Sequence, residues 1–162
     1  MAHLLANAIR VKVLKNFQRS FGPHNTVNQI LVDSKGQKIH DIIDQDFTPR
    51  YNRKLIEGQW ISITGFKFSV ACGTFRHVPH RFVIHWESTT VVSPIPPITS
   101  GNYYSFASFK DVKSDILEII YTMLVNFIGQ VVRVGNDRKE GPPNRDWDAI
   151  YLELEDGEYD IF

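Results

Sequence analysis

Polar and apolar positions alternate almost from the start of the chain. Ile9, Val11 and Val13 alternate with Arg10 and Lys12, the period-two signature of a half-buried strand. The run TVNQILVD (26–33) predicts a second strand, the turn SKGQ follows, and KIHDII (38–43) predicts a third. In TPRYNRKLIEG (48–58) the punctuation becomes helical: Thr48 suits a cap, Pro49 the first helical position and Gly58 the terminus. Two more strands are predicted from QWISITGFKFSV (59–70), where Trp60, Ser62 and Thr64 alternate with Ile61 and Ile63, and from HRFVIHWESTTVV (80–92).

Three strands, a short helix and two strands is the order of the OB-fold, a five-stranded, partly open Greek-key barrel. Such barrels bind oligonucleotides or oligosaccharides across one face and its flanking loops. The expected class is therefore all-β with short helices. SPIPPITSGN (93–102), with its three prolines and one glycine, predicts a stiff linker. Beyond it, YYSFASFKDVKSD (103–115) is aromatic and turn-like, and TMLVNFIGQVVRVGN (122–136) predicts a long strand. AIYLELEDGEYDIF (149–162) predicts another strand and a turn, with Ile150, Leu152 and Leu154 alternating against Tyr151, Glu153 and Glu155. This repeats the opening of the first unit and then stops. The expected organisation is an OB domain over 1–92, a linker over 93–102 and an incomplete second OB-fold over 103–162.

Composition adds a division that the net charge of +0 conceals. Residues 1–100 carry twelve Lys/Arg against six Asp/Glu, and residues 101–162 carry six against twelve. The basic part suits a polyanion and the acidic part repels one; two solvated surfaces of opposite sign would give the same count. A single cysteine excludes an internal disulfide. No apolar run approaches the roughly 20 residues that span a bilayer, and the longest candidate, 116–134, is broken by Glu118, Asn126, Gln130 and Arg133. The opening MAHLLANAIR lacks the basic start of a signal peptide. The expectation is a soluble, intracellular protein without a membrane partner.

The ordered pieces IRVKVLKNF, NQILVDSKGQKIHDII, LIEGQWISITGFKF and TFRHVPHRFVIHW resemble the first OB domain of plant proteins related to the large subunit of replication protein A. Within them, the family's Leu-x-Asp-x-x-Gly-x-x-Ile-His stretch is matched by Leu31, Asp33, Gly36, Ile39 and His40. FASFKDV, LVNFIGQVV and IYLELEDGE resemble the start of the next OB domain in the same proteins. The resemblance implies tandem OB-folds that bind single-stranded DNA without catalysis, in the nucleus, alongside other replication protein A-type subunits. It also implies two base-stacking aromatics. Phe75 falls at one of these places, but the other, at the end of the third strand, is Asp44, which repels phosphate.

Residues 72–86 concentrate Cys72, His77, His80 and His85. Zinc needs four convergent ligands, usually paired as C-x2-C or on one helical face. Pro79 disfavours a helix through His77 and His80, and strand parity separates His80 from His85. A Cys–His nucleophile needs an orienting third group that the sequence does not offer, and no phosphate loop, HExxH or nucleophile elbow is present. Neither a metal, a cofactor nor an enzymatic activity is expected.

Single-stranded DNA or RNA is held by cations that track phosphates and by aromatic faces that stack on bases. Phe75 and Arg76 near a hairpin tip, Lys67 one strand away, and Arg81 and His85 on the closing strand supply such groups. Arg19 and His24 do so from the predicted loop NFQRSFGPHN (16–25), and His40 from the third strand. Phe17 and Phe21 either stack or anchor that loop. Phe82, Ile84 and Trp86 are expected to fill the core. A protein-interaction module built on a degenerate OB-fold is the rival reading, favoured by Asp44 and the acidic residues beyond 146.

Overall fold

The computed structural model describes residues 8–21, 24–48, 55–73, 76–113, 126–135, 138–139, 148–149 and 152–155. The chain divides into two compact units, Met1–Tyr103 and Tyr104–Phe162. The first is built on strands β1 (Ile9–Phe21), β2 (His24–Val32), β3 (Lys38–Asp44), β4 (Trp60–Thr64), β5 (Lys67–Val70), β6 (Phe82–His85) and β7 (Val91–Pro94). They form one sheet in the order β5-β6-β3-β2-β1-β4-β7. All neighbours are antiparallel except β3 and β6, which run parallel.

Only Gly65 and Phe66 separate β4 from β5, although the two stand near opposite ends of that order. The sheet must therefore curl back on itself, forming an OB-type half-barrel around Val11, Val13, Leu31, Ile43, Ile61, Ile63, Ile84 and Trp86. The strand predicted over 59–70 is thus one strand broken at a corner. Gly65 takes a φ of +67 there, and its carbonyl accepts hydrogen bonds from Thr89 Oγ1 (3.1 Å) and Thr90 Oγ1 (2.8 Å).

β1 is longer than its alternation. A bulge between Val13 and Lys15 lets Val13 and Leu14 both be buried. Beyond it the strand continues to Phe21, paired with β2 as far as Phe21↔His24. Within the segment 16–25, expected as a loop, residues 16–21 and 24–25 are therefore paired strand; they lack apolar alternation because they extend past the barrel core. The strand expected over 80–92 is also interrupted. A turn at Glu87–Thr90, held by Thr90 N–H on the Glu87 carbonyl at 3.0 Å, separates β6 from β7.

The expected linker is not free-standing. Ser93 and Pro94 belong to β7, which pairs with β4 at the sheet edge, where a missing N–H is tolerated. Further on, Tyr103 packs its ring against Trp60 (6.4 Å between centroids) and beneath Lys12 Nζ (5.8 Å). The segment thus folds back onto the barrel.

The helix predicted over 48–58 falls mostly on residues outside the described ones; at its flanks Thr48 Oγ1 donates to the Asp44 carbonyl at 3.3 Å and Leu55 is buried. Among the described residues no helix is long and apolar enough to cross a membrane.

In the second unit, α1 (Phe109–Lys113) is a short helix that the aromatic pattern concealed. Ser108 caps it, accepting from Asp111 N–H at 3.1 Å. β8 (Gln130–Val134) pairs with β11 (Leu152–Glu155), and β9 (Arg138–Lys139) with β10 (Asp148–Ala149). The ladders are nested, so the chain goes out through β8 and β9 and returns through β10 and β11. The strand predicted over 122–136 is shorter among the described residues because it begins only after Gly129. A Cβ on Gly129 would stand 2.8 Å from Phe109 Cζ.

Candidate nucleic-acid interface

Strand parity builds the site. In β3, Ile39, Asp41 and Ile43 point inward, so His40, Ile42 and Asp44 share the outer face. Cross-strand pairing extends that face: Ile42 opposes Asn28 on β2, Asn28 opposes Phe17 on β1, and Thr26 opposes Arg19. On the other side His40 opposes Val83 and Ile42 opposes His85 of β6, which in turn opposes Lys67 of β5. Arg19, His40, Lys67 and His85, drawn from four strands, therefore occupy one face. Sequence spacing alone does not reveal this.

The loop between β5 and β6 roofs part of this face. It is tied down by Ala71 N–H on the Arg81 carbonyl (2.8 Å) and by Arg76 Nη2 on the Ala71 carbonyl (3.5 Å). A cleft of about 290 Å³ lies beneath it, lined by Arg19, His40, Ile42, Ser69, Arg76, His77, His80, Val83 and His85 among others. Val83 is on the outer face yet buried, because Val78 of the loop is packed nearby and is itself buried.

Polar contacts fix the floor. His40 Nε2 donates to Asn28 Oδ1 at 2.8 Å, and Asn28 Nδ2 donates to Thr26 Oγ1 at 2.9 Å. His85 Nε2 stands 2.8 Å from Ser69 Oγ. His77 lies between Phe17 and His40, with ring centroids 4.8 Å and 4.6 Å away.

The sequence-derived candidates divide accordingly. Arg19, His40, Arg76 and His85 line the cleft. Lys67 is next to His85 but forms an ion pair with Glu87. Arg81 is exposed, with its guanidinium 5.5 Å from the Phe82 ring centre. His24 ends the β1–β2 hairpin; its side chain, like all of Phe75, lies outside the described residues. Phe82, expected in the core, has the inward parity but is 38 % exposed. It enters the barrel at an open end, where Ile9, Ile39, Phe68, Phe82 and Ile84 line a cavity of about 560 Å³. The cleft residue absent from the sequence-derived nucleic-acid candidates is His77, which the sequence offered only as a metal ligand. Among the described residues no group of three or more His, Cys, Asp or Glu is placed to hold a metal ion, and Cys72 is an exposed thiol.

β3 carries two titrating groups of opposite behaviour, one on each face. Complete burial pushes the Asp41 carboxyl well above its usual range, although Trp86 Nε1, donating at 2.9 Å to each carboxylate oxygen, acts the other way. Burial, reinforced by the charges of His77, Arg19 and His85, lowers His40 from 6.5 to about 4. The stability due to Asp41 is complete below its unfolded value of 3.8 and is lost as pH rises toward the raised folded value. That due to His40 is complete above 6.5 and is lost as pH falls toward 4. Between these limits the two slopes oppose, Asp41 contributing as much as about 1.4 kcal/mol per pH unit. Relative to wild type, Asp41→Asn should therefore make the melting temperature climb more steeply from pH 4 to 6.5, and His40→Gln should make it fall. Thermal melts followed by circular dichroism across that range check this, and tilts of the same sign in both variants would contradict it.

The topology defines a class, the OB-fold. A model of the family described as "Domain of unknown function DUF223" matches residues 3–115, and the chain belongs to that family. No curated protein sequence matches. Among solved structures, a replication protein A heterotrimer bound to single-stranded DNA aligns at 16% identity with a TM-score of 0.60, over 95% of this chain and 36% of that one. The chain thus spans about a third of that relative's length. DNA-binding domain A of S. cerevisiae replication protein A aligns at 18% identity with a TM-score of 0.43, over 57% of this chain and 85% of that one.

Proposed function

We propose that this chain is a non-catalytic, single-stranded nucleic-acid-binding OB module. The cleft carries the reading: two arginines and four histidines line it, with no Asp or Glu among the described lining residues. It lies on the strand face, beneath the hairpin loop, which OB-folds commonly use for oligonucleotides. Arg19 and Arg76 meet phosphates, His40 and His85 contribute polar edges, and Lys67 and Arg81 extend the path; Phe75 and His24 join them as candidates from the sequence. Similarity to the replication protein A fold and the matching motif around His40 favour single-stranded DNA. A nuclear role in replication, repair or recombination beside replication protein A-type subunits is part of the same proposal.

A second reading, a protein-interaction module, is favoured by one observation: Asp44 is exposed and continues the row of His40 and Ile42 on the same face. Fluorescence anisotropy with labelled oligo-dT at about 50 mM salt separates the two. Saturable binding by the full chain supports nucleic-acid recognition. Its absence, with retention of a protein partner in a pull-down, supports the second reading.

A further inference from the structure

Phe17 and His40 come from strands that are not neighbours, yet their rings lie nearly parallel, 9° apart, with centroids separated by 6.3 Å. Between strands β1 and β3 stands Asn28, whose amide oxygen fixes the His40 ring through Nε2. Two flat rings are thus held nearly parallel on the outer sheet face, with His40 lining the cleft. The ring that meets them is not part of the sheet. His77 reaches in from the loop, tilted 56° to Phe17 and 64° to His40.

That contact is incomplete. Among the described residues, neither buried nitrogen of His77 has a hydrogen-bond partner. Burying polar atoms in this way is unfavourable, so the His77 ring fills the space without satisfying it. A nucleobase is also a flat aromatic ring, but it arrives attached to a phosphate, and Arg19 and Arg76 line the same cleft.

We propose that Phe17 and His40 form a nucleobase-stacking subsite, and that His77 is its resident occupant, which an incoming base displaces. The subsite supplies aromatic surface on the strand side, where Asp44 denies it at the end of β3. This rests on the nucleic-acid reading above and adds self-occlusion to it: the unliganded loop competes with its own ligand.

The test uses the full chain and labelled oligo-dT at pH 8, at fixed low salt. Burial, reinforced by Arg19, lowers the His77 pKa, so at pH 8 its removal takes away no positive charge. His77→Ala empties the subsite and is expected to tighten binding several-fold, whereas Phe17→Leu keeps the bulk but loses the aromatic face and is expected to weaken it about tenfold. His77→Asn, smaller and still polar, should also tighten binding, and melting curves establish that each variant is folded. The opposite signs are the signature. If His77→Ala and His77→Asn weaken binding as Phe17→Leu does, His77 is an ordinary ligand contact and occlusion is wrong. No change in the His77 variants also overturns it, while leaving the nucleic-acid reading intact. Absence of binding by wild type and every variant overturns both the subsite and the function on which it rests.

Discussion

Replacing Gly65 by alanine is expected to lower the melting temperature by on the order of 15 °C or more. Two costs combine. The residue holds φ at +67, where a side chain costs about 1–2 kcal/mol. A Cβ would also stand 2.3 Å from the Thr89 carbonyl oxygen, which is backbone and cannot swing aside. Moving it disturbs the hydrogen bonds from Thr89 and Thr90 to the Gly65 carbonyl, each worth about 1 kcal/mol. Gly65 is also the corner through which β4 hands over to β5, so this strain acts where the sheet curls back on itself. Gly58→Ala is the control. Its φ is +87 but nothing lies within 4 Å of the added atom, so only the backbone cost of about 1–2 kcal/mol applies. Thermal melts of the two variants check the difference, and equal losses would contradict the role given to the corner.

The second large effect concerns binding. Arg19→Ala combined with Arg76→Ala should weaken oligo-dT binding by roughly a hundredfold at low salt, since each charged contact is worth about 1.5–3 kcal/mol. It should also make the slope of log affinity against log salt shallower by about 1.4, because each lost single-strand phosphate contact removes about 0.7. Lys67→Ala should do much less, since that ammonium is already shared with Glu87. Anisotropy titrations at several salt concentrations measure both quantities. A large loss of affinity with an unchanged slope would show that the arginines support the loop rather than meet phosphate.

Much of the barrel was legible in the chain, for a physical reason. Ile9, Val11 and Val13 in β1, and Ile61 and Ile63 in β4, alternate with polar positions because one face is buried, and alternation is visible without coordinates. Features that depend on where the barrel ends were hidden. Phe82 has core parity but stands at the open end, and β1 continues past the core into a hairpin that has no apolar face to betray it. Asp41 was hidden differently: a carboxyl directed inward reads as an outward position until Trp86 is found opposite it.

The site followed the same division. Arg19, His40, Arg76 and His85 were candidates from residue type and position, and cross-strand pairing sets Arg19, His40 and His85 on a common face, with Arg76 reaching the cleft from the loop. His77 was not, because its place depends on the path of the loop over β3, which no periodicity encodes. The density of histidines in 72–86 raised a metal reading against which Pro79 and strand parity already argued. Among the described residues, His77, His80 and His85 line the cleft.

The account's central claim is that this face holds single-stranded nucleic acid chiefly through its charge. Titration of the full chain into fluorescent oligo-dT, from about 50 mM salt upward, tests it most directly. The account predicts saturable binding whose log affinity falls linearly with log salt, with little difference between oligo-dT and a mixed sequence. Failure to saturate at about 50 mM salt, or an affinity indifferent to salt, would contradict it.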